Sequence, residues 1–151
     1  FYIGGTKVGA LFGEAVVAKD EEMHRSFRYA IKQHGGMLAK GRLLGIQFAE
    51  LLQGGDECLY FRLARHANEQ AARIREAFEK KGIPMWIPSR TNMQFPILTK
   101  EQQKVLSSKY VPEFWGTYDE CRDVVRFCTS WATKEENVDL LIETLKEVSL
   151  I

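Results

Sequence analysis

Phe1-Tyr2-Ile3-Gly4-Gly5-Thr6-Lys7 opens the chain, and its reading decides the fold. An apolar run that ends in two glycines predicts a sheet-core strand followed by a tight backbone turn. The turn sets Lys7 just past the strand end, where the C-terminal edge of an α/β sheet presents its ligand-binding groups. Residues 11–18 (Leu11-Phe12-Gly13-Glu14-Ala15-Val16-Val17-Ala18) read as a second strand, closed by the charges from Lys19 onward. A chain that opens in mid-strand, on Phe1 and not on Met, reads as a piece of a longer protein with strands upstream.

Working outward, Asp20 is placed to cap a helix with Met23, Phe27, Ala30 and Ile31 on one face. Gly35-Gly36 stops it, and a second helical pattern runs from Met37 to Gly54-Gly55. That pattern is apolar over most of its circumference, which predicts burial on several sides. Leu59, Leu63, Ala67, Ala71, Ile74 and Phe78 then recur at helical spacing as far as Gly82. Residues 84–87 and 93–98 are short extended candidates, and Thr99 caps a short helix over 101–109. Two strands rich in aromatic and β-branched residues follow at 114–118 and 124–129. Thr133 with Glu136 makes a capping box for a last helix striped by Val138, Leu141, Ile142, Leu145 and Val148. The order predicts the tail of an α/β domain followed by a small α+β domain.

Hydrophobic residues make up 45% and charged residues 27% of the 151, a globular and not a disordered balance. Lys plus Arg number 21 against 20 Asp plus Glu, so charge offers no reason to expect nucleic acid or an acidic membrane as partner. No apolar run approaches the roughly 18 residues that span a bilayer, and no signal peptide precedes the first strand. Cys58, Cys121 and Cys128 form no CxxC pair. Their odd number argues against a disulfide framework, leaving buried free thiols in a reducing cytoplasm as the reading, not metal ligation.

Lys7 is the first candidate for chemistry. A lysine that condenses with a carbonyl cofactor must present a neutral amine, which takes partial desolvation or a nearby cation. The apolar flanks Tyr2-Ile3 and Ala10-Leu11-Phe12 are expected to provide it. The segment is not a phosphate-binding G-x-x-x-x-G-K-[ST] loop, because that frame is absent. Arg126 is the second candidate, inside Val124-Val125-Arg126-Phe127-Cys128-Thr129, where its neighbours read as buried. An arginine there needs an anionic partner. Either it clamps a ligand carboxylate through both arms, or it faces solvent or an internal acid. Lys32, Lys40 and Arg42 around the glycine pair are either a phosphate-binding cluster or the charged rim of a helix turn. His24, His34 and His66 share no metal-ligand spacing; surface or capping roles fit His24 and His66, while His34 sits where it can line a site.

Taken together, these segments resemble a known family. Phe1 to Lys7, followed by Val8-Gly9-Ala10-Leu11-Phe12-Gly13-Glu14-Ala15-Val16-Val17, is similar to the cofactor-lysine segment of the low-specificity L-threonine aldolases and β-eliminating lyases. Gly35-Gly36-Met37 with Gly41 resembles the glycine-rich helix join of that family. Arg126-Phe127-Cys128-Thr129-Ser130-Trp131, with Thr133, Glu135-Glu136 and Val138-Asp139, resembles its C-terminal strand and helix.

The resemblance implies an α/β fold: the end of the large domain of a fold-type I pyridoxal-phosphate enzyme, then a small α+β C-terminal domain. Residues 1–35 would end the large domain, 36–54 would be a buried interdomain helix, and 55–151 the small domain, with Arg126 facing the cofactor cleft. Lys7 would hold pyridoxal 5'-phosphate and shuttle protons at the substrate α-carbon, with Thr6 beside the cofactor. Arg126 would bind the carboxylate of a small amino-acid substrate. Many members carry an arginine where this chain has Leu38, so the phosphate contact would pass to Lys40 or Arg42. The implied reaction is retro-aldol cleavage of L-threonine or L-allo-threonine to glycine and acetaldehyde, in a cytoplasmic homo-oligomer (dimer or tetramer). The phosphate-binding turn, the ring-stacking histidine and the aspartate on the pyridine nitrogen would lie upstream, so these 151 residues alone are expected to be inactive. The competing readings are another fold-type I activity, such as a β-eliminating lyase or amino-acid racemase, and a non-catalytic oligomerisation domain.

Overall fold

In the computed structural model, which describes residues 1–149, the opening stretch forms β1 (Tyr2–Gly4), antiparallel to β2 (Glu14–Val16) with Ile3 opposite Ala15. The second strand is shorter than the eight residues expected, because Leu11 and Phe12 lie in a bend. Asp20 caps α1 (Glu21–Gln33) by accepting the Glu22 amide at 2.8 Å, as its position predicts. Gly35, in the left-handed region at φ 72, ends the helix, and the Gly36 amide returns to the Ile31 carbonyl at 2.8 Å.

The second helix, α2 (Arg42–Leu52), begins five residues later than Met37. It departs from expectation in burial. Only Phe48 and Leu51 are buried, whereas Leu43 is 56% exposed. Its apolar circumference exceeds what its own unit covers. α1 carries no buried residue at all.

α3 (Leu59–Lys80) is the long amphipathic helix that the spacing predicts, closed by Gly82 at φ 80. Two compact units divide within it, Phe1–Leu63 and Ala64–Ile151. The expected joints, after residues 35 and 54, both fall inside the first unit.

The second unit is built around one strand. β6 (Arg122–Cys128) is antiparallel to β5 (Glu113–Thr117) along one edge. Along its other edge it meets β3 (Met93–Gln94) and β4 (Ile97–Thr99) in turn. Val124 therefore lies opposite Gly116 on one side and Ile97 on the other. Alternation along β6 sends Val125 and Phe127 to one face and Val124 and Arg126 to the other. The first face is covered by α3, α4 (Lys100–Ser107) and α5 (Glu135–Glu147). Phe78, Leu98, Leu106, Val125, Leu141 and Leu145 form the centre of this core. Each fully buried side chain of this size contributes roughly 1.5–3 kcal/mol.

Thr99 caps α4 through a capping box with Gln102. The capping box expected from Thr133 and Glu136 does not form. Lys134 occupies the cap of α5 without a side-chain bond, and the Thr133 hydroxyl instead accepts the Ser130 amide at 2.9 Å. An amide in the turn before the helix takes the oxygen. Cys58 is buried as expected, but Cys121, just before β6, and Cys128, at its end, are exposed. All three are free thiols.

Candidate functional site

Lys7 sits in a single 3-10 turn, Thr6–Val8, between β1 and β2. The Gly5 carbonyl accepts the amides of Val8 and Ala10, each at 3.0 Å, which folds the turn onto itself. Val8 and Ala10 point inward and are buried, so Thr6 and Lys7 face outward. Gly5 is required by close approach. A Cβ there would meet the Ala10 Cβ at 2.6 Å and the Phe48 ring at 3.0 Å. Two braces hold the turn from outside it. Tyr60 donates its hydroxyl to the Gly4 carbonyl at 2.9 Å, and the Leu11 amide donates to Gln47 Oε1 at 2.6 Å. Partial burial raises the Tyr60 phenol above its ordinary pKa.

The flanks do not provide the desolvation expected of them. Tyr2, Leu11 and Phe12 are exposed, as is Lys7, because Val8 and Ala10 have taken the inward positions. Among the described residues, no hydrogen bond or ion pair engages the Lys7 amine. Lys40 and Arg42 are exposed at the start of α2, whose capping residue Gly41 offers no side-chain cap. The Leu43 and Leu44 amides of its first turn donate to the Lys40 and Gly41 carbonyls, each at 3.0 Å, so the positive end of the helix dipole lies beside the two cations.

Arg126 lies in the second unit, on the sheet face turned away from the helices. Its neighbours there were not legible from sequence. Glu113, its register partner on β5, pairs with Nη2. A β-bulge between Phe114 and Gly116 makes Trp115 the extra residue. The guanidinium stands 5.1 Å from the Trp115 ring centroid, a cation–π contact of about 0.5–1 kcal/mol at a partly exposed site. Nη1 faces Met93 Sδ at 3.8 Å, and Nε is buried without a partner among the described residues. Of the two sequence readings, an internal acid is therefore present, and half of the fork is still unused.

The histidines are accounted for in part. His24 donates to the Ala18 carbonyl and His66 to the Thr133 carbonyl, both at 2.8 Å, while His34 is exposed at the end of α1. No cluster of His, Cys, Asp and Glu suited to a metal occurs among the described residues, and none of their helices is long and apolar enough to cross a membrane.

No family model matches the chain. Two curated proteins named low-specificity L-threonine aldolase, from a Pseudomonas species and from Pseudomonas aeruginosa, are each 29% identical over 147 residues. The match covers 96% of this chain and 40% of each relative. Among solved structures, the threonine aldolase of Leishmania major superposes with a TM-score of 0.91 at 37% identity, over 97% of this chain and 42% of that one. An 8-amino-7-oxononanoate synthase from Francisella tularensis, at 15% identity and a TM-score of 0.59, shares the fold alone, over 90% of this chain and 41% of that one. The architecture is thus a mixed α/β fold corresponding to part of a larger fold-type I pyridoxal-phosphate enzyme. Within that class the chain is closely related to the low-specificity L-threonine aldolases and matches their C-terminal-like region. It spans about two fifths of their length.

Proposed function

We propose that this chain is part of a pyridoxal-phosphate-dependent lyase that cleaves L-threonine or L-allo-threonine to glycine and acetaldehyde. The observation that carries this reading is the match of nearly the whole chain to proteins named for that activity.

The residues present fit the cofactor. Lys7 offers a primary amine free to reach a carbonyl group, on a turn braced by Tyr60 and Gln47, while the desolvation that keeps such an amine neutral would have to come from outside these residues. Lys40 and Arg42, at the positive end of the α2 dipole, have the charge to hold its phosphate. When bound, the cofactor supplies the electron sink for the pair left at the substrate α-carbon. Lys7 Nζ holds the cofactor and carries the proton to and from that carbon, with the Thr6 hydroxyl beside it. Arg126 orients the substrate through its carboxylate. Residues 1–35 close the large domain, 36–54 link the domains, and 55–151 form the small domain. The whole protein works in the cytoplasm as a homo-oligomer, an assembly supported by the apolar surface of α2 that its own unit leaves exposed.

The test is borohydride reduction of the whole protein with pyridoxal phosphate, followed by peptide mass mapping. Label is expected on the Lys7 peptide and absent from Lys7→Ala. Label spread over other lysines, with Lys7 unmodified, would refute the assignment. Acetaldehyde release from threonine separates an aldolase from an eliminating lyase or a racemase.

A further inference from the structure

We infer that Glu113 is an internal carboxylate that occupies the Arg126 site until a ligand carboxylate displaces it, while Trp115 holds the guanidinium in place through the exchange. This rests on the reading of Arg126 as a carboxylate-binding residue and adds to it what governs access.

The geometry of the fork carries the argument. A ligand carboxylate binds a guanidinium best through two parallel N–H bonds along one edge. Glu113 pairs with Nη2 alone, while Nη1 faces only the weakly accepting Met93 thioether. A bidentate ligand on the Nη1–Nη2 edge therefore competes with Glu113 at Nη2. The exchange is open to solvent on the leaving side, since the Glu113 side chain is 59% exposed against 25% for Arg126. Its carboxylate regains water as it swings away. Trp115 meets the guanidinium through its ring face and not through a carboxylate, so it holds Arg126 without taking an ion pair from either acid. The bulge puts it there, by inserting one residue opposite β6 just beyond the Glu113–Arg126 pair. Trp115 also packs edge-on against Phe95 at 5.2 Å between centroids, which fixes the platform.

The experiment titrates the isotopically labelled 151-residue chain with sodium acetate at constant ionic strength. It follows the NMR signals of Arg126 Nε–H and the Trp115 indole N–H. Saturable shifts of both are expected in the native chain. Glu113→Gln, with Glu113→Thr as a second variant compatible with a strand, should tighten acetate binding by roughly threefold to fivefold, the scale of one partly exposed ion pair. Trp115→Leu should weaken binding and Trp115→Tyr restore it, read at Arg126, whereas Arg126→Gln should abolish the response at Trp115. Unchanged or weaker acetate binding in both Glu113 variants overturns the displacement. Acetate that moves neither signal, in the native chain or in the Glu113 variants, overturns the carboxylate reading of Arg126 as well.

Discussion

The two units of this chain bury themselves to very different degrees. In the first, Val8, Ala10, Phe48, Leu51 and Cys58 are the buried apolar residues, spread over a turn, one helix and the start of α3. α1 contributes none, and β1 and β2 pair only with each other. In the second, three helices close over one sheet face, and Phe78, Leu98 and Leu106 are fully buried. Amphipathic sequence is common to both, so pattern alone does not tell a covered face from an open one. The unit with the lysine presents apolar surface, while the unit with the arginine has a finished core.

The largest effect that would break this comparison lies in the core. Leu98→Ala or Phe78→Ala should destabilise the second unit by about 2–5 kcal/mol in urea denaturation, because the cavity adds to the lost transfer energy. Leu43→Ala, on the exposed face of α2, should stay within about 0.5 kcal/mol. Equal losses at Leu98 and Leu43 would mean that the first unit is as consolidated as the second.

A middle-sized effect belongs to Asp123, which is buried on β6 and accepts from Lys100 and, at 2.9 Å, from Gln103. The hydrogen bond from Lys100, then that from Gln103, hold its carboxyl below the ordinary carboxylate range. A depressed folded-state pKa stabilises above the unfolded value of about 3.9, and that stability fades as pH falls through the folded value. Asp123→Asn should cost about 1–3 kcal/mol at neutral pH and flatten the acid limb of the stability profile. An unaltered acid limb would show that Asp123 is not the group responsible.

The smallest effect sharpens the contrast at helix ends. Thr99→Ala removes a reciprocal capping box beside a packed core and should lower global stability by about 1 kcal/mol. Asp20→Ala removes a cap of one side-chain bond from a helix with no buried residue. It should reduce helical circular dichroism and leave the denaturation midpoint of the second unit unmoved. A shift of that midpoint would show the two units to be more tightly coupled than their separate cores suggest.

Much of this was readable before any coordinates. The Asp20 and Thr99 caps, the glycine stops at Gly35 and Gly82 and the stripe of α3 all depend on neighbours within about one helical turn. The Thr133 box failed for a related reason, since amides three residues away on either side were within local reach and that of Ser130 took the hydroxyl. Misjudged burial had a different cause: α2 is apolar all round, but periodicity reports which residues prefer cover and not whether cover is supplied.

For the candidate site, the outward turn that carries Thr6 and Lys7 was legible because two glycines and a strand end define it locally, while the closeness of Ala10 and Phe48 to Gly5 was not. Tyr60 was not legible as its brace, being 56 residues from Gly4. Glu113 and Trp115 had no signal either. Their meeting with Arg126 depends on the register of β5 against β6 and on a one-residue bulge, which reassigns every side chain beyond it.

By itself, then, the sequence determined the helices, the Asp20 and Thr99 caps, the strand candidates and the outward turn that carries Lys7, because short-range backbone and side-chain preferences suffice for these. The tertiary structure alone decided which apolar faces are covered, what braces the lysine turn, and that the arginine already has an acid and an indole beside it. Those are contacts between residues far apart in the chain, and their geometry exists only once strands have paired and helices have packed.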